Sequence, residues 1–483
     1  MSLGILKVAA VLERAGRSVE MLDLSGISNY LDALEDHLRV SSAKVLAISV
    51  TTPQLPATAQ IVERARSVRP DLRIIVGGPH ATLVAAAVKL EKKRGVVGRA
   101  HHAMLRLLAM FDVVVAGDGE RAIFEALHPD APKLVDADDP KGPLFMSSPD
   151  YEETPWPARH LIDVDSYHYS VDGHRALSAI FQLGCPFGCN FCGGRNSKML
   201  RQIRTRSTSN IVAEIEYLYR TYGVTGFMAY DDELNVNPAL VELMDALSVL
   251  QERLGVEFRF RGFVKSELFT DEQARAMRRA GFRWLLCGFE AGHPRILENI
   301  NKRATIEDNT RVMEIAARHD LKVKALMSVG HAGESEETIL AVRDWLLKVK
   351  PADLDCTVIS TYPGTPYYDE AVPHAELADV WTYRCKKSGD RLHSYDVDFA
   401  TTADYYKGDP SGGYKSFVFT DYLSAEKIVE LRDQVEREVR AALSIPFNPG
   451  APGVRYEHSM GQRGNELPAF ILRKTSERGI VST

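Results

Sequence analysis

The sequence predicts an α/β protein with two successive strand-and-helix regions and a C-terminal extension. Short apolar runs alternate with stretches of helical periodicity over residues 1–130 and again over residues 176–370. This alternation is typical of parallel sheets whose strands are connected by helices. Residues 131–175 are rich in Asp and Pro and are expected to form an ordered linker, whereas 371–483 are expected to form an α-rich extension. A chain of 483 residues is long enough for two or three domains.

The first region is predicted to be an open α/β domain that begins with an amphipathic helix. Its apolar runs predict buried parallel strands at 19–24, 45–50, 73–76 and 113–116. Loops with the sequences TTPQ, GGPH and GDGE follow the last three runs. Because ligands bind beyond the carboxyl ends of the strands in such sheets, these are candidate ligand-binding loops.

The second region is predicted to be a full or partial parallel barrel. Six apolar runs predict its strands: 177–183, 225–230, 258–264, 283–289, 322–328 and 354–361. Helical periodicity separates them at 211–222, 239–254, 271–280, 305–318 and 335–348. Six successive strand–helix units favour a (β/α)6 arrangement. A further helix is expected near 424–443, in the C-terminal extension.

Composition excludes several classes of function. The net charge of −6 argues against a general nucleic-acid surface, which needs clustered cations. No apolar run approaches the ~20 residues that span a bilayer, and the N-terminus lacks the features of a signal peptide. We therefore expect a cytoplasmic protein whose cysteines stay reduced, so that clustered thiols indicate a metal or catalysis rather than disulfides.

Three of the six cysteines, Cys185, Cys189 and Cys192, lie within eight residues directly after the first predicted barrel strand. A structural zinc site needs four ligands in a closed tetrahedron, and Cys287, Cys356 and Cys385 offer no second pair. An iron–sulfur cluster held by three thiolates leaves one iron open, and an open metal position is typical of a catalytic metal. The spacing therefore favours an iron–sulfur cluster over zinc.

The segment CPFGCNFC resembles the motif of the radical S-adenosylmethionine (SAM) superfamily, C-x3-C-x2-C with an aromatic residue before the last cysteine. The resemblance covers residues 176–370 and implies a 4Fe–4S cluster, with SAM bound at the open iron and cleaved to a 5′-deoxyadenosyl radical. It also implies that Glu290 binds the ribose hydroxyls, that Lys302 or Arg303 pairs with the methionine carboxylate, and that Asp232 occupies a family position. The structural alternatives are that Glu290 caps a strand, that Lys302 and Arg303 are solvated helix charges, and that Asp232 is a polar residue at the mouth of a strand with no ligand.

The first region, with its GGPHATL and GDGE loops, resembles the cobalamin-binding subgroup of this superfamily. The resemblance implies a Rossmann-like domain and a cobalamin site. The strand that usually precedes the first helix is missing, so the sheet is expected to lack a central strand. The D-x-H-x-x-G motif that ligates cobalt from below is absent as well, and a turn histidine such as His80 is more often a hydrogen-bonding residue. The implied site residues are Thr51, Gly77, Gly78, Pro79, His80, Gly117, Asp118, Gly119 and Glu120.

The resemblance implies a methyltransferase that acts on an unactivated carbon through the deoxyadenosyl radical and methylcobalamin. The implied partners are a small-molecule or natural-product substrate and an external one-electron reductant of the flavodoxin or ferredoxin type. Two alternatives stay open: a radical SAM cyclase or rearrangement enzyme without methyl transfer, and a sensor that binds cobalamin or a metal without turnover. Tyr405, Tyr406 and His458 are candidates for the substrate cavity.

Overall fold

The computed structural model describes residues 1–24, 29–167, 169–402 and 415–446. The described chain forms a four-stranded parallel sheet, a seven-stranded sheet, a four-stranded antiparallel sheet and a two-stranded ribbon. None of the helices in these ranges has both the length and the apolar character needed to cross a membrane.

The N-terminal domain is built from these elements, in chain order: α1 (Leu3–Arg14), α2 (Tyr30–Val40), β1 (Val45–Ser49), α3 (Leu55–Val68), β2 (Arg73–Gly77), α4 (Pro79–Arg94), α5 (Arg99–Met110), β3 (Val113–Ala116), α6 (Gly119–Ala126) and β4 (Leu134–Asp136). The four strands are parallel and adjacent in the order β1-β2-β3-β4. Helices α1 and α6 pack on one face of the sheet and α2 to α5 on the other, so both faces are buried.

Two features of this domain differ from the sequence prediction. The apolar run at 19–24 was expected to be a strand, but it has no strand structure. A strand forms where a neighbour accepts its hydrogen bonds, and β1 is the edge strand on that side of the described sheet. Conversely, β4 extends the sheet beyond the predicted boundary at residue 130. A strand of three residues is too short to show a periodicity in the sequence.

A parallel half-barrel follows a short linker helix, α7 (Ser148–Glu152). Its first half contains β5 (Ser170–Val171), β6 (His174–Ala179), β7 (Gln182–Leu183), α8 (Lys198–Arg201), β8 (Arg204–Thr205), α9 (Thr208–Tyr222), β9 (Gly226–Ala229) and α10 (Leu240–Leu254). Its second half contains β10 (Arg259–Phe263), α11 (Asp271–Ala280), β11 (Phe282–Glu290), α12 (Pro294–Asn299), α13 (Ile306–Arg318), β12 (Lys322–Val329), α14 (Glu336–Val349), β13 (Asp353–Val358) and α15 (Pro366–Asp369). The main sheet has the order β13-β12-β11-β10-β9-β6-β5.

The half-barrel has six parallel strands, and the last five confirm the predicted runs. The first differs from the prediction of 177–183: β6 begins earlier and ends at Ala179, and residues 182–183 form β7, which pairs with β8 outside the main sheet.

Local signals explain why the helices lie where they were expected. The side chains of Ser207 and Thr270 accept hydrogen bonds from backbone N–H groups in the first turns of α9 and α11. Glycines in the left-handed conformation end α9, α10 and α11, at Gly223, Gly255 and Gly281. Buried residues of the six parallel strands and of α9, α10, α11, α13 and α14 form one continuous core.

The described part of the C-terminal extension combines a small antiparallel sheet with one long helix. The strands are β14 (Val372–Pro373), β15 (Val380–Arg384), β16 (Arg391–Tyr395) and β17 (Val418–Thr420), and the helix is α16 (Ala425–Leu443). The helix confirms the prediction for 424–443 and packs against α14 and β13. The sheet was not predicted from the sequence, because its strands are short and separated by irregular segments.

Candidate functional site

The three clustered cysteines lie on residues 184–203, here called the cluster loop. Strands β7 and β8 join the two ends of this loop as an antiparallel ribbon. At the start of the loop, Gly184 has a φ of +90°, and a Cβ there would lie 2.0 Å from the carbonyl oxygen of Gln202, so only glycine fits. The N–H of Cys185 donates to the carbonyl of Leu200 over 2.9 Å. The ribbon thus sets the position of the first cysteine.

Side chains from inside and outside the cluster loop bind its backbone carbonyls. The Arg201 guanidinium donates to the carbonyls of Phe187, at 2.9 Å, and Pro186, at 2.6 Å. The Asn301 amide donates to the carbonyl of Gly188 over 2.8 Å. These hydrogen bonds come from protein groups alone, so the loop has a defined course without a ligand.

The protein surroundings of the three thiols disfavour their charged form. Burial raises the pKa of Cys185 to about 11 and raises the pKa of Cys189, against the opposing effect of Lys302 and Lys265. Cys192 is exposed to solvent, but desolvation by the surrounding protein atoms raises the pKa of its thiol as well. Because metal ligation requires thiolates, the positive charge of a bound metal centre would have to deprotonate them.

The arrangement of the thiols fits a cluster better than a single ion. Within the described ranges, no three His, Cys, Asp or Glu side chains converge closely enough to hold one metal ion. In a four-iron cluster each thiolate binds a different iron, so the three sulfur atoms need not meet at one point. Electrostatic interaction among all three cysteines still places them in one neighbourhood.

Glu290 and Lys302 form an ion pair at the carboxyl ends of the barrel strands. Glu290 ends β11 with a φ of +68°, and its Oε1 lies 3.1 Å from the Lys302 Nζ. The Ser328 hydroxyl donates to the other carboxylate oxygen over 2.8 Å. Burial opposes the charge of Lys302, but Glu290 and the neighbouring Cys189 outweigh it and raise the pKa of the lysine. Arg303, the alternative partner suggested for a carboxylate ligand, has an exposed side chain.

Three further groups lie at this mouth of the barrel: Lys265, Glu233 and His331. Lys265 is buried, with its Nζ 2.7 Å from the Glu267 carboxylate and 4.6 Å from the centre of the Phe187 ring of the cluster loop. Burial raises the pKa of Glu233 to about 7. His331 contacts Phe191 edge-on, and burial lowers the pKa of this histidine to about 4, so its ring is neutral. Each of the three residues follows a barrel strand, where active-site residues are expected. That position after a predicted strand is the feature by which the sequence could have identified them.

A cavity of about 310 Å³ lies between the N-terminal domain and the half-barrel. Its walls come from α1, from the strand-end loops of the N-terminal sheet, and from the start of the cluster loop. Eight of the site residues named from the sequence line it: Gly77, Gly78, Pro79, Gly117, Asp118, Gly119, Glu120 and Asp232. The structure thus brings the GGPH and GDGE loops together with a residue of the barrel mouth.

Asp232 connects the cavity with the cluster loop. It lines the cavity beside Gly184, whose backbone N–H donates to the Asp232 carboxylate. Burial raises the pKa of Asp232, and its charge also acts on Cys185 and Cys192. A ligand in the cavity would therefore lie next to the loop that carries the cysteines.

The glycines of the two loops are explained by backbone packing. Gly78 has a φ of +93°, and a Cβ there would lie 2.7 Å from the Ser49 hydroxyl. Gly117 has a φ of +95°, and a Cβ would lie 2.6 Å from the carbonyl carbon of Ala137. Both positions need glycine for conformation and close approach of the chain, whatever the ligand.

Four ionisable side chains lie together at the cavity: Lys7, Asp118, Glu120 and Arg204. Asp118 and Arg204 form a buried ion pair that joins the GDGE loop to β8. Lys7 donates to the Thr154 hydroxyl over 2.6 Å. Burial lowers the pKa of Lys7 to about 8 and raises the pKa values of Asp118 and Glu120.

Two of the residues named for a cobalamin site do not line the cavity. Thr51 is exposed, and its hydroxyl donates to the Gln54 side chain over 2.9 Å. His80 is buried in α4, with its Nδ1 2.9 Å from the Thr52 hydroxyl, and burial lowers the pKa of the ring to about 4. His80 therefore has the hydrogen-bonding environment that was the alternative to cobalt ligation. The candidates Tyr405, Tyr406 and His458 lie outside the described residues.

The cavity has properties that fit a corrinoid. Apolar side chains from α1, the sheet and α6 form much of its surface: Ile5, Val8, Ile48, Ile75, Val115 and Ile123. Backbone groups of the GGPH and GDGE loops and the Arg204 guanidinium supply polar positions at its edge. A corrin ring with its carboxamide side chains needs this combination of apolar contact and few polar anchors.

Two family models match separate parts of the chain. Residues 1–108 match a B12 binding domain, and residues 179–346 match the Radical SAM superfamily. The first match covers β1, β2 and the GGPH loop, and the second covers the cluster loop and the barrel strands β9 to β12. The predicted iron–sulfur cluster, SAM and cobalamin are thereby confirmed as the cofactors of the two matching families.

Curated relatives and solved structures resemble this chain over two thirds or more of its length at low identity. An uncharacterized methyltransferase of Pyrococcus horikoshii is 23% identical over 68% of this chain and 69% of its own length. An anaerobic magnesium-protoporphyrin IX monomethyl ester cyclase of Rubrivivax gelatinosus is 24% identical over 77% of this chain, which spans 66% of the cyclase. The radical SAM methyltransferase TsrM of Kitasatospora setae, solved with cobalamin and a [4Fe-4S] cluster, shows the same fold. Its TM-score is 0.61 and its identity 16%, over 91% of this chain and 96% of TsrM.

The fold, the cysteine loop, the interdomain cavity and the two family matches agree with one another. The chain belongs to the radical SAM enzymes that contain a B12 binding domain.

Proposed function

We propose that this protein is a cobalamin-dependent methyltransferase that methylates an unactivated carbon of a small molecule. The observation that carries the proposal is the cavity of the B12 binding domain, which meets the cluster loop at Gly184 and Asp232. The sites for the two cofactors therefore adjoin one space between the domains. When bound, the 4Fe–4S cluster with SAM supplies a 5′-deoxyadenosyl radical, and methylcobalamin supplies the methyl group.

The residues of this chain would position the cofactors and exclude water from the reaction. Cys185, Cys189 and Cys192 would hold the cluster on a loop whose backbone is already fixed. Glu290 would accept hydrogen bonds from the ribose hydroxyls of SAM, and the ion pair with Lys302 would fix the position of its carboxylate. The apolar side chains that line the cavity would keep water from the reactive species.

The cobalamin site would consist of the residues that line the cavity in the N-terminal domain. These are Gly77, Gly78, Pro79, Gly117, Asp118, Gly119 and Glu120, with Asp232 facing them from the barrel. The positions of Thr51 and His80 do not support a direct contact with this ligand.

A radical SAM cyclase that transfers no methyl group is the second candidate, favoured by the likeness to the magnesium-protoporphyrin ester cyclases. A binding protein without turnover is the third. The products made from SAM separate the three functions, because methylation of cobalamin yields S-adenosylhomocysteine and radical formation yields 5′-deoxyadenosine.

The test is an anaerobic incubation of reconstituted protein with SAM, hydroxocobalamin and dithionite, followed by mass spectrometry. We expect both products from the wild type, and neither at comparable rate from a control in which Cys185, Cys189 and Cys192 are all replaced by Ala. Deoxyadenosine without S-adenosylhomocysteine would instead identify the cyclase type. Intact SAM in a sample that contains both cofactors would identify a binding protein.

The thiols of the cluster loop must stay reduced until the cluster is built, which a reducing compartment ensures. We therefore place the protein in the cytoplasm, with an external one-electron donor of the flavodoxin or ferredoxin type. Its substrate would be a small molecule or a natural-product precursor that enters beside the cavity.

A further inference from the structure

Arg204 occupies a position between the two cofactor regions that the sequence did not single out. It lies on β8, in the ribbon that closes the cluster loop, and it also lines the interdomain cavity. Its side chain is only 1% exposed. A guanidinium in such a position has no water to satisfy its five N–H donors.

The partners of this guanidinium account for only part of its donors. Nη1 donates to the carboxylate of Asp118 in the GDGE loop. Nε and Nη2 have no hydrogen-bond partner within the described residues, although both atoms are buried. A buried donor without an acceptor is costly, so a native protein usually provides a partner for it.

The other charges at the cavity do not supply that partner. Lys7 is a donor and is bound to Thr154 and packed over the Tyr151 ring, at 4.2 Å from its centre. Glu120 is buried beside Asp118, and burial raises its pKa, which favours the uncharged form of that carboxyl. With Asp118 committed to the ion pair, the remaining donors of Arg204 are left for an acceptor that enters the cavity.

We propose that Arg204 binds an acceptor oxygen of the corrinoid in this cavity through Nε–H and Nη2–H, while Asp118 fixes the guanidinium from the other side. The inference rests on cobalamin being the ligand of the cavity, as in the proposed function. Cobalamin carries such oxygens in two places, on the carboxamides around the corrin ring and on the phosphate of its nucleotide tail. Planar guanidinium groups bind both kinds of oxygen well.

Arg204 would bind the corrinoid and is also connected to the cluster loop through its backbone. Its backbone pairs with Leu183, one residue before Gly184, so the corrinoid and the loop of cysteines would share one rigid support. Arg206, two residues later, provides a contrast. It is also buried and ion-paired, with 2.6 Å to the Glu214 carboxylate, but it is not among the residues that line the cavity.

The test compares corrinoid affinity of full-length Arg204→Lys and Arg206→Lys, each replacing a buried guanidinium by an ammonium. Equilibrium dialysis with absorbance detection gives the dissociation constant for hydroxocobalamin without any turnover. Arg204→Lys should bind roughly 10- to 100-fold more weakly than wild type, the loss expected for one or two hydrogen bonds to a charged donor. Arg206→Lys should bind as wild type does. Equal affinity of Arg204→Lys and wild type would overturn the proposal.

A second ligand identifies which oxygen is bound. Aquacobinamide keeps the carboxamides but lacks the nucleotide phosphate. A loss of affinity for both ligands assigns the contact to a carboxamide, and a loss for hydroxocobalamin alone assigns it to the phosphate. If Arg204→Lys does not fold by circular dichroism, the double variant Asp118→Asn/Arg204→Gln removes both charges and is measured in its place. A wild-type protein that binds neither corrinoid refutes the inference together with the cobalamin site, whereas binding without any effect of these variants refutes the inference alone.

Discussion

Glu290 and Lys302 face each other at the mouth of the half-barrel, with 3.1 Å between Oε1 and Nζ and side chains that are 13% and 5% exposed. Charges removed from water to this extent are stable only as a pair. The pairing places a carboxylate of defined orientation beside the cysteine loop. It also means that Lys302 is already engaged before any carboxylate ligand arrives.

Replacing Lys302 alone should destabilise the protein. Lys302→Met leaves the Glu290 carboxylate buried without its partner, and we expect a loss of about 3–5 kcal/mol in the free energy of unfolding. The double variant Lys302→Met/Glu290→Gln removes both charges and should recover much of that loss. Urea denaturation of the four proteins of the cycle measures the coupling. Arg303→Met, at the exposed neighbour, should change stability by less than about 0.5 kcal/mol. A double variant no more stable than Lys302→Met would contradict the pairing.

Removing one cysteine of the loop should abolish the cluster and leave the fold intact. Cys189→Ala takes away one of three thiolate ligands, and the visible absorbance of an iron–sulfur cluster should be lost after anaerobic reconstitution. The far-ultraviolet circular dichroism should match that of wild type, because protein groups fix the loop. Cys356→Ala removes a thiol buried in β13 and serves as the control that keeps the absorbance. Full iron content in Cys189→Ala would show that this residue is not a ligand.

Filling the interdomain cavity should block corrinoid binding and leave the iron–sulfur cluster in place. Ala47 is the middle residue of the edge strand β1, and it lines the cavity with an exposed side chain. Ala47→Phe would place a ring where the corrinoid is expected, at little cost in stability because the space is open. We expect hydroxocobalamin affinity to fall at least tenfold while the iron–sulfur absorbance stays unchanged. Unaltered affinity would place the corrinoid elsewhere.

Stability should depend on pH through Asp231. This carboxyl is buried and accepts hydrogen bonds from the N–H groups of Phe181 and Gln182, and burial raises its pKa from 3.8 to about 7. Since the folded state holds the proton more tightly than the unfolded state, the contribution of Asp231 is largest below about pH 4 and is lost as the pH rises to about 7.

Asp231→Asn cannot ionise, so the variant should lack this dependence. Relative to Asp231→Asn, the wild type should lose more than about 1 kcal/mol of stability between about pH 5 and about pH 8. Urea denaturation across that range is the measurement, and Asp320→Asn, at an exposed carboxylate, is the control. A constant difference across the range would show that the pKa of Asp231 is not raised.

The sequence was most informative where local signals and burial agree. The strands of the half-barrel are continuous apolar runs, and the helices between them are bounded by side chains such as Thr305 and glycines such as Gly281. Each of these residues acts on its own neighbours in the chain, so the pattern can be interpreted without knowing the fold. The cysteine spacing is local in the same sense.

The features that escaped prediction depend on partners far away in sequence. The run at 19–24 has the composition of a strand, but a strand also needs an adjacent one. Nothing in the local sequence distinguishes Arg204 from other arginines. Its role depends on β8, which places it against Asp118, 86 positions earlier. Lys265 becomes a group of the site only because β10 ends beside Phe187. Such residues are found by geometry, since no spacing rule connects them.

The ribbon of β7 and β8 closes the cluster loop at its base, and side chains such as Asn301 hold it from outside, so the loop lies beside the main sheet rather than within it. Neither strand of the ribbon contributes hydrogen bonds to the main sheet. Assembly of the metal centre can therefore come last, on a scaffold that is already complete, and oxidative loss of the iron would empty the loop without unravelling the enzyme. Repair would then require only iron, sulfide and electrons, not a newly made chain.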